Sequence, residues 1–142
     1  MEAINKDVIP VAEIMTAHPH TLDVNDTLEH AKKKFEKLKL RHLPVVDGEK
    51  LVGILSLTDI LRLSFGDKFG ANQYEADEAI FEMLSIDQVM NHNPRTISSN
   101  NSLREVGEVL SKEEFHALPV VDNDRLVGIV TTTDVIRYLL EH

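Results

Sequence analysis

The chain has 142 residues, a net charge of −9 and no cysteine; 42% of its residues are hydrophobic and 27% charged. That composition belongs to a folded globular chain and excludes a disordered or collagen-like one, and the length allows one domain or two very small ones. Without cysteine there are no disulfides, thiolate zinc sites, iron–sulfur clusters or cysteine nucleophiles. Asp and Glu number 24 against 15 Lys and Arg, the wrong balance for a global affinity for duplex nucleic acid or anionic lipid. No apolar run approaches the ~20 residues of a membrane helix, and Met1–Asp7 lacks the stretches of a secretory signal. The expectation is a cytoplasmic protein that uses neither nucleic acid nor membrane as partner.

An internal repeat dominates the chain. Residues 44–53 read Pro-Val-Val-Asp-Gly-Glu-Lys-Leu-Val-Gly, and residues 119–128 read Pro-Val-Val-Asp-Asn-Asp-Arg-Leu-Val-Gly, an offset of 75. Residues 11–67 align with 86–142 without a gap, with 18 identities in 57 positions. Two copies are too few for a solenoid, so a pseudo-twofold pair is the expected packing.

Taken in chain order, each copy predicts the same elements. A short strand lies near Thr21 or Thr96. Thr27 caps a helix with apolar positions Leu28, Ala31, Phe35 and Leu38, and Asn101 or Ser102 caps one with Leu103, Val106, Leu110 and Glu114. Strands at 43–46 and 118–121 follow, then polar turns, then strands at 51–55 and 126–130. Each copy closes with a helix starting near Thr58 or Thr133. The order is β-α-β-β-α, with units at 8–65 and 85–142. Residues 66–84, with Gly66, Gly70 and the acidic stretch Glu75–Ala79, predict a linker loop and helix. The expected buried set is Val45, Val46, Ile54, Val120, Val121 and Ile129.

The chemistry gathers at the end of each second strand. Gly53-Ile54-Leu55-Ser56-Leu57-Thr58-Asp59 has its counterpart in Gly128-Ile129-Val130-Thr131-Thr132-Thr133-Asp134. Each sets two hydroxyls and a carboxylate at a strand-to-helix junction, where free backbone N–H groups attract anions. A carboxylate there suits a ribose diol better than a phosphate. The same Ser56-x-x-Asp59 and Thr131-x-x-Asp134 spacing also matches a helix capping box, and both roles can coexist.

The whole pattern resembles a tandem pair of cystathionine β-synthase (CBS) domains, a Bateman module. The resemblance rests on Val11-x-x-Ile14-Met15 with Pro19-x-Thr21, then Leu43-Pro44-Val45-Val46-Asp47, then Gly53-Ile54-Leu55-Ser56-x-x-Asp59, all repeated 75 residues on. It covers residues 8–142 apart from the linker. It implies an α+β fold of two CBS units packed sheet to sheet about a pseudo-twofold axis. It also implies an adenosyl ligand in clefts between them: AMP, ADP, ATP, S-adenosylmethionine, NAD or cyclic di-adenylate. Asp59 and Asp134 would hold ribose hydroxyls. Ser56, Thr58, Thr131 and Thr133 would meet phosphate or ribose, with Arg41, His42 and His116 as cations. Thr21, Leu22, Thr96 and Ile97 would flank the adenine.

Unit two departs from unit one in carrying Ala117 in place of His42, which predicts unequal clefts. With no output domain in the sequence, a stand-alone pair is expected to regulate a separate effector protein and to form a homodimer. The alternative is a ligand-free CBS-fold scaffold or oligomerisation protein. No catalytic set emerges, since neither Ser56 nor Ser64 has a positioned base, so an enzyme is not expected. No metal is expected, because His18-x-His20 and the pair His42/His116 lack a ligand spacing. His142 is given no role.

Overall fold

A computed structural model of the chain describes residues 5–64, 79–112 and 116–142. The predicted linker features from Gly66 to Glu78, and Glu114 of the second helix, lie outside the described residues. In chain order, a 3-10 turn at Val11–Glu13 precedes β1 (Thr16–Ala17), β2 (Leu22–Asp23), α1 (Leu28–Leu38), β3 (His42–Asp47), β4 (Lys50–Ser56) and α2 (Leu57–Ser64). Residues 79–83 are helical and form the described part of α3. There follow α4 (Ile86–Val89), α5 (Leu103–Lys112), β5 (Ala117–Asp122), β6 (Arg125–Thr131) and α6 (Thr132–Glu141). The chain is thus mixed α+β; the first repeat has the expected β-α-β-β-α order, while in the second the strand expected near Thr96 is a single bridge at Ile97.

The compact bodies are not cut where the repeats are. One, the central unit, is His20–Asn93; the other, the terminal unit, joins Met1–Pro19 to Pro94–His142. The leading segment of each repeat therefore folds with the strands of the other repeat.

In the central unit, β2 runs parallel to β3, with Leu22 opposite Val45, and β3 pairs antiparallel with β4 from His42↔Ser56 to Asp47↔Lys50. Gly48 turns this hairpin at φ +65°, a backbone region that costs glycine nothing. Thr27 caps α1 by accepting a hydrogen bond from the His30 N–H at 3.0 Å. Leu28, Ala31 and Phe35 form the helix's buried stripe, and they share a core with Leu22, Leu43, Val45, Leu55, Ile60, Phe81, Ile86 and Met90. Full burial of each large aliphatic or aromatic side chain contributes about 1.5–3 kcal/mol. On β4, Asn91 bridges Ile54 through Ile54 N–H to Asn91 O at 3.0 Å and Asn91 N–H to Ile54 O at 2.9 Å.

The terminal unit repeats this plan. β5 pairs antiparallel with β6, and Ile97 bridges Val120 in parallel, as Leu22 does Val45. β1 pairs antiparallel with β6, with Thr16 opposite Ile129, taking the place Asn91 takes on β4. The hairpin turns on Asn123 and Asp124, both at positive φ, the backbone of a type I′ turn. Ser102 caps α5: its Oγ accepts from the Glu105 N–H at 3.1 Å, while its own N–H donates to Glu105 Oε1 at 3.1 Å. The core is Val11, Ile14, Ile97, Leu103, Val106, Leu118, Val120 and Val130.

The expected buried set is corrected in part. Val45 and Val120 are fully buried, but Val46, Ile54, Val121 and Ile129 are only half-buried. Side chains alternate across a strand, so Leu55 and Val130 take the core face and Ile54 and Ile129 the other. The same alternation puts Leu43 and Val45, and Leu118 and Val120, on the core face, and so leaves Val46 and Val121 on the other. Leu43 and Leu118, omitted from the expected set, are buried instead.

Candidate functional site

In each unit the junction residues lie at one end of the sheet. In the central unit β3 begins, β4 ends and α2 starts there. The Leu57 N–H donates to the Arg41 carbonyl at 2.8 Å, and in the terminal unit the Thr132 N–H donates to the His116 carbonyl at 3.1 Å. These equivalent bonds hold the residue before the first hairpin strand against the first turn of the helix that follows the second. Arg41 and His116 are exposed, and His42 is half-buried opposite Ser56.

At the helix start, Ser56 Oγ donates to Asp59 Oδ2 at 2.8 Å and accepts from the Asp59 N–H at 3.1 Å. In the terminal unit, Thr131 Oγ1 accepts from the Asp134 N–H at 3.0 Å, and the Thr131 N–H donates to Asp134 Oδ2 at 2.9 Å. Both carboxylates therefore cap their helices through Oδ2. Their Oδ1 atoms point toward an arginine one turn on: Arg62 Nη1 lies 3.6 Å from Asp59, and Arg137 Nη1 lies 4.0 Å from Asp134. The Asp59 side chain is 29% exposed and the Asp134 side chain 14%. A carboxylate has about four lone-pair sites, so the cap leaves acceptor capacity for a ligand's hydroxyls. Thr58 and Thr133 are exposed on the first helical turns.

β2 runs parallel to β3 and enters from the same side, but it starts opposite Val45, three residues beyond His42. Thr21 is half-buried, and its carbonyl accepts from the Lys34 ammonium. Leu22 is fully buried in the core, so a ligand would meet it only through its backbone. In the terminal unit Thr96 is exposed and Ile97 is buried. Sequence reasoning missed Lys34, Arg62 and Arg137. The two arginines could have been found, because Arg three residues after Asp recurs at the offset of 75. Lys34 could not, because its place depends on how α1 lies beside Thr21.

At the opposite end of the terminal sheet, Asp122 accepts from the Ser98 hydroxyl at 2.9 Å, from the Ser99 N–H at 3.1 Å and from the Ser99 hydroxyl at 2.5 Å. The Ser99 hydroxyl, then its N–H, and Ser98 hold the Asp122 carboxyl below the ordinary carboxylate range. Among the described residues no group of three or more His, Asp or Glu could hold a metal ion, and no helix is long and apolar enough to cross a membrane.

Comparison with known proteins accords with this architecture. The family model described as CBS domain matches residues 11–66 and 86–141. The chain belongs to the CBS-domain family, as a tandem pair. Among solved structures it is 33% identical to a Vibrio cholerae protein described as an acetoin utilization protein, AcuB, at a TM-score of 0.79, covering 94% of this chain and 92% of that one. It is 26% identical to CBSX2 in complex with AMP, at a TM-score of 0.78 and coverage of 94% and 97%. It is 29% identical to the CBS domain pair of protein MJ0100 in complex with 5′-methylthioadenosine and S-adenosylmethionine, at a TM-score of 0.77 and coverage of 94% and 98%. The chain spans 40% and 35% of the length of two Methanocaldococcus jannaschii proteins to which it is 28% and 31% identical.

Proposed function

We propose that this CBS pair is a regulatory module that binds an adenine nucleotide or another adenosyl ligand and passes its occupancy to a separate effector protein. The observation that carries the reading is the junction built twice over: Ser56 with Asp59 beside Arg41, and Thr131 with Asp134 beside His116. The AMP complex of CBSX2 and the methylthioadenosine and S-adenosylmethionine complex of MJ0100 support the ligand class. On this reading Asp59 and Asp134 accept ribose hydroxyls while remaining caps, and Thr58 and Thr133 offer hydroxyl donors. Arg41, His42 and His116 supply cations, and the backbone at Thr21–Leu22 and Thr96–Ile97 flanks the base. Binding acts by population shift: a ligand with higher affinity for one conformational state enriches it, and the effector recognises that state. Catalysis has no part in this reading.

Self-association into a homodimer belongs to the same proposal. Leu61 on α2 and its counterpart Ile136 on α6 are both exposed, as are Leu139 and Leu140, so both closing helices present apolar side chains to solvent.

The test is a thermal-shift series with AMP, ADP, ATP, S-adenosylmethionine, NAD and cyclic di-adenylate. A ligand at 100 times its Kd adds about 2.7 kcal/mol of stability, or roughly 5–10 °C in a chain of this size. No shift with any of them at millimolar concentration would overturn the proposal and favour a ligand-free scaffold.

A further inference from the structure

The half-site containing Asp59 and the one containing Asp134 share their junction but not their cations. In the central unit α1 sends the Lys34 ammonium to the Thr21 carbonyl. Thr21 precedes Leu22, which pairs with Val45 in a strand parallel to β3, so this charge is held at the entry to β2, on the side from which β3 also starts after Arg41. One of the ammonium's three donors goes to Thr21, which leaves two. Seventy-five residues on, the position of Lys34 is Val109, an apolar residue packed against the terminal core.

The other cations differ in the same direction. Arg41 and His42 are replaced by His116 and Ala117, and the Ala117 side chain is buried. Arg62 and Arg137 are common to both. Arg95 precedes Thr96 where the first repeat has His20. With Arg95 counted in full, Lys34, Arg41 and Arg62 stand on one side, against Arg95 and Arg137 on the other. Each further phosphate on a ligand adds charge that must leave water, and charge-assisted hydrogen bonds from fixed cations offset that cost.

We propose that Lys34 and Arg41 make the half-site containing Asp59 the one that takes phosphate-bearing adenine nucleotides, while the half-site containing Asp134 takes an adenosyl ligand without phosphate, a thioether or a sulfonium. This rests on the adenosyl reading above. The MJ0100 pair holds two phosphate-free adenosyl compounds, so the fold accommodates that class in a relative.

The experiment is calorimetry on the full chain with two probes, ADP and the neutral 5′-methylthioadenosine. Asp134→Ala leaves the Asp59 half-site as the main one, and Asp59→Ala leaves the other. ADP is expected to bind Asp134→Ala roughly tenfold more tightly than methylthioadenosine does, as one charge-assisted hydrogen bond allows, and this order should reverse in Asp59→Ala. Adding Lys34→Val to Asp134→Ala should weaken ADP by roughly 5- to 10-fold with methylthioadenosine changed less than about twofold. Lys34→Gln keeps a donor for the Thr21 carbonyl and removes the charge, so it should match Lys34→Val. If Lys34→Gln instead behaves as the parent, Lys34 acts by anchoring Thr21 and its charge sets nothing. Equal ADP-to-methylthioadenosine ratios in the two Asp variants would overturn the inequality alone. Failure of both probes to bind the parent protein would overturn the adenosyl reading, and this inference with it.

Discussion

Gly53 and Gly128 are where one added methyl group should do the most damage. A Cβ on Gly53 would lie 2.5 Å from Met90 Sδ, 2.9 Å from Met90 Cε and 2.8 Å from the Asn91 carbonyl oxygen. On Gly128 it would lie 2.5 Å from Met15 Sδ and 2.9 Å from the Thr16 carbonyl oxygen. The sulfur can swing aside; the carbonyl cannot move without stretching the bridge to Ile54, or the β1 pairing in the second case. Overpacking costs about 1–3 kcal/mol, and weakening one or two backbone hydrogen bonds adds about 0.5–1.5 kcal/mol each. Gly53→Ala and Gly128→Ala should therefore each destabilise by about 2–4 kcal/mol. Gly107 provides the opposite sign. It sits inside α5, and a Cβ there meets nothing within 4 Å. Gly107→Ala should stabilise by about 0.5–1 kcal/mol, since alanine loses less backbone entropy in a helix. Urea unfolding followed by circular dichroism gives all three values from the midpoint and slope. In a cycle with Met90→Ala, the Gly53→Ala cost should shrink by about 1 kcal/mol and not vanish, because the Asn91 carbonyl remains. If Gly53→Ala and Gly128→Ala stay within about 0.5 kcal/mol of the parent, the close approach of the leading segments is not needed.

Three further outcomes are expected. Asp59→Ala and Asp134→Ala should each weaken adenosyl binding at one site by roughly 10- to 150-fold, the worth of a hydrogen bond to a charged group, while losing only about 1 kcal/mol of stability as caps; unchanged binding in both would leave the carboxylates as caps alone. The folded pKa of Asp122 is lowered, so its contribution is complete above the unfolded value and is lost as pH falls through the folded one. The stability gap between the parent and Asp122→Asn should accordingly narrow as pH falls below the ordinary Asp value of ~3.9, and acid-titrated unfolding that shows a constant gap would refute the clamp. Sedimentation at micromolar concentration should give a dimer, with Leu61→Glu or Ile136→Glu shifting it toward monomer; a strict monomer with and without ligand would remove the homodimer.

The sequence carried the elements well because their signals are local. Thr27 before Leu28, the hairpin turns at Gly48 and Asn123, and the hydroxyl–Asp junctions are decided within a few residues of chain. The core was less legible, since a continuous apolar run such as Pro44-Val45-Val46 does not say which of its alternating residues face the core. Least legible was the partner of each leading segment. Met15 and Met90 stand out as a repeated pair, yet only the folded chain puts Met15 over Gly128 and Met90 over Gly53. The carboxylate spacing admitted both a cap and a ribose acceptor. The cap is formed, and the spare oxygens beside Arg62 and Arg137 keep the second role chemically open.

The exchange of leading segments bears on how such a chain could have originated. A polypeptide with one repeat has an open edge on its second strand and a Met-bearing segment that suits that edge. Two separate copies could satisfy each other only by trading segments, at a cost in concentration that dilution makes worse. Duplication in tandem turns that trade into an event within one molecule, which dilution no longer weakens. The descendant is then free to let its two halves diverge, so that Lys34 and Val109 can serve different ends while neither half can be lost.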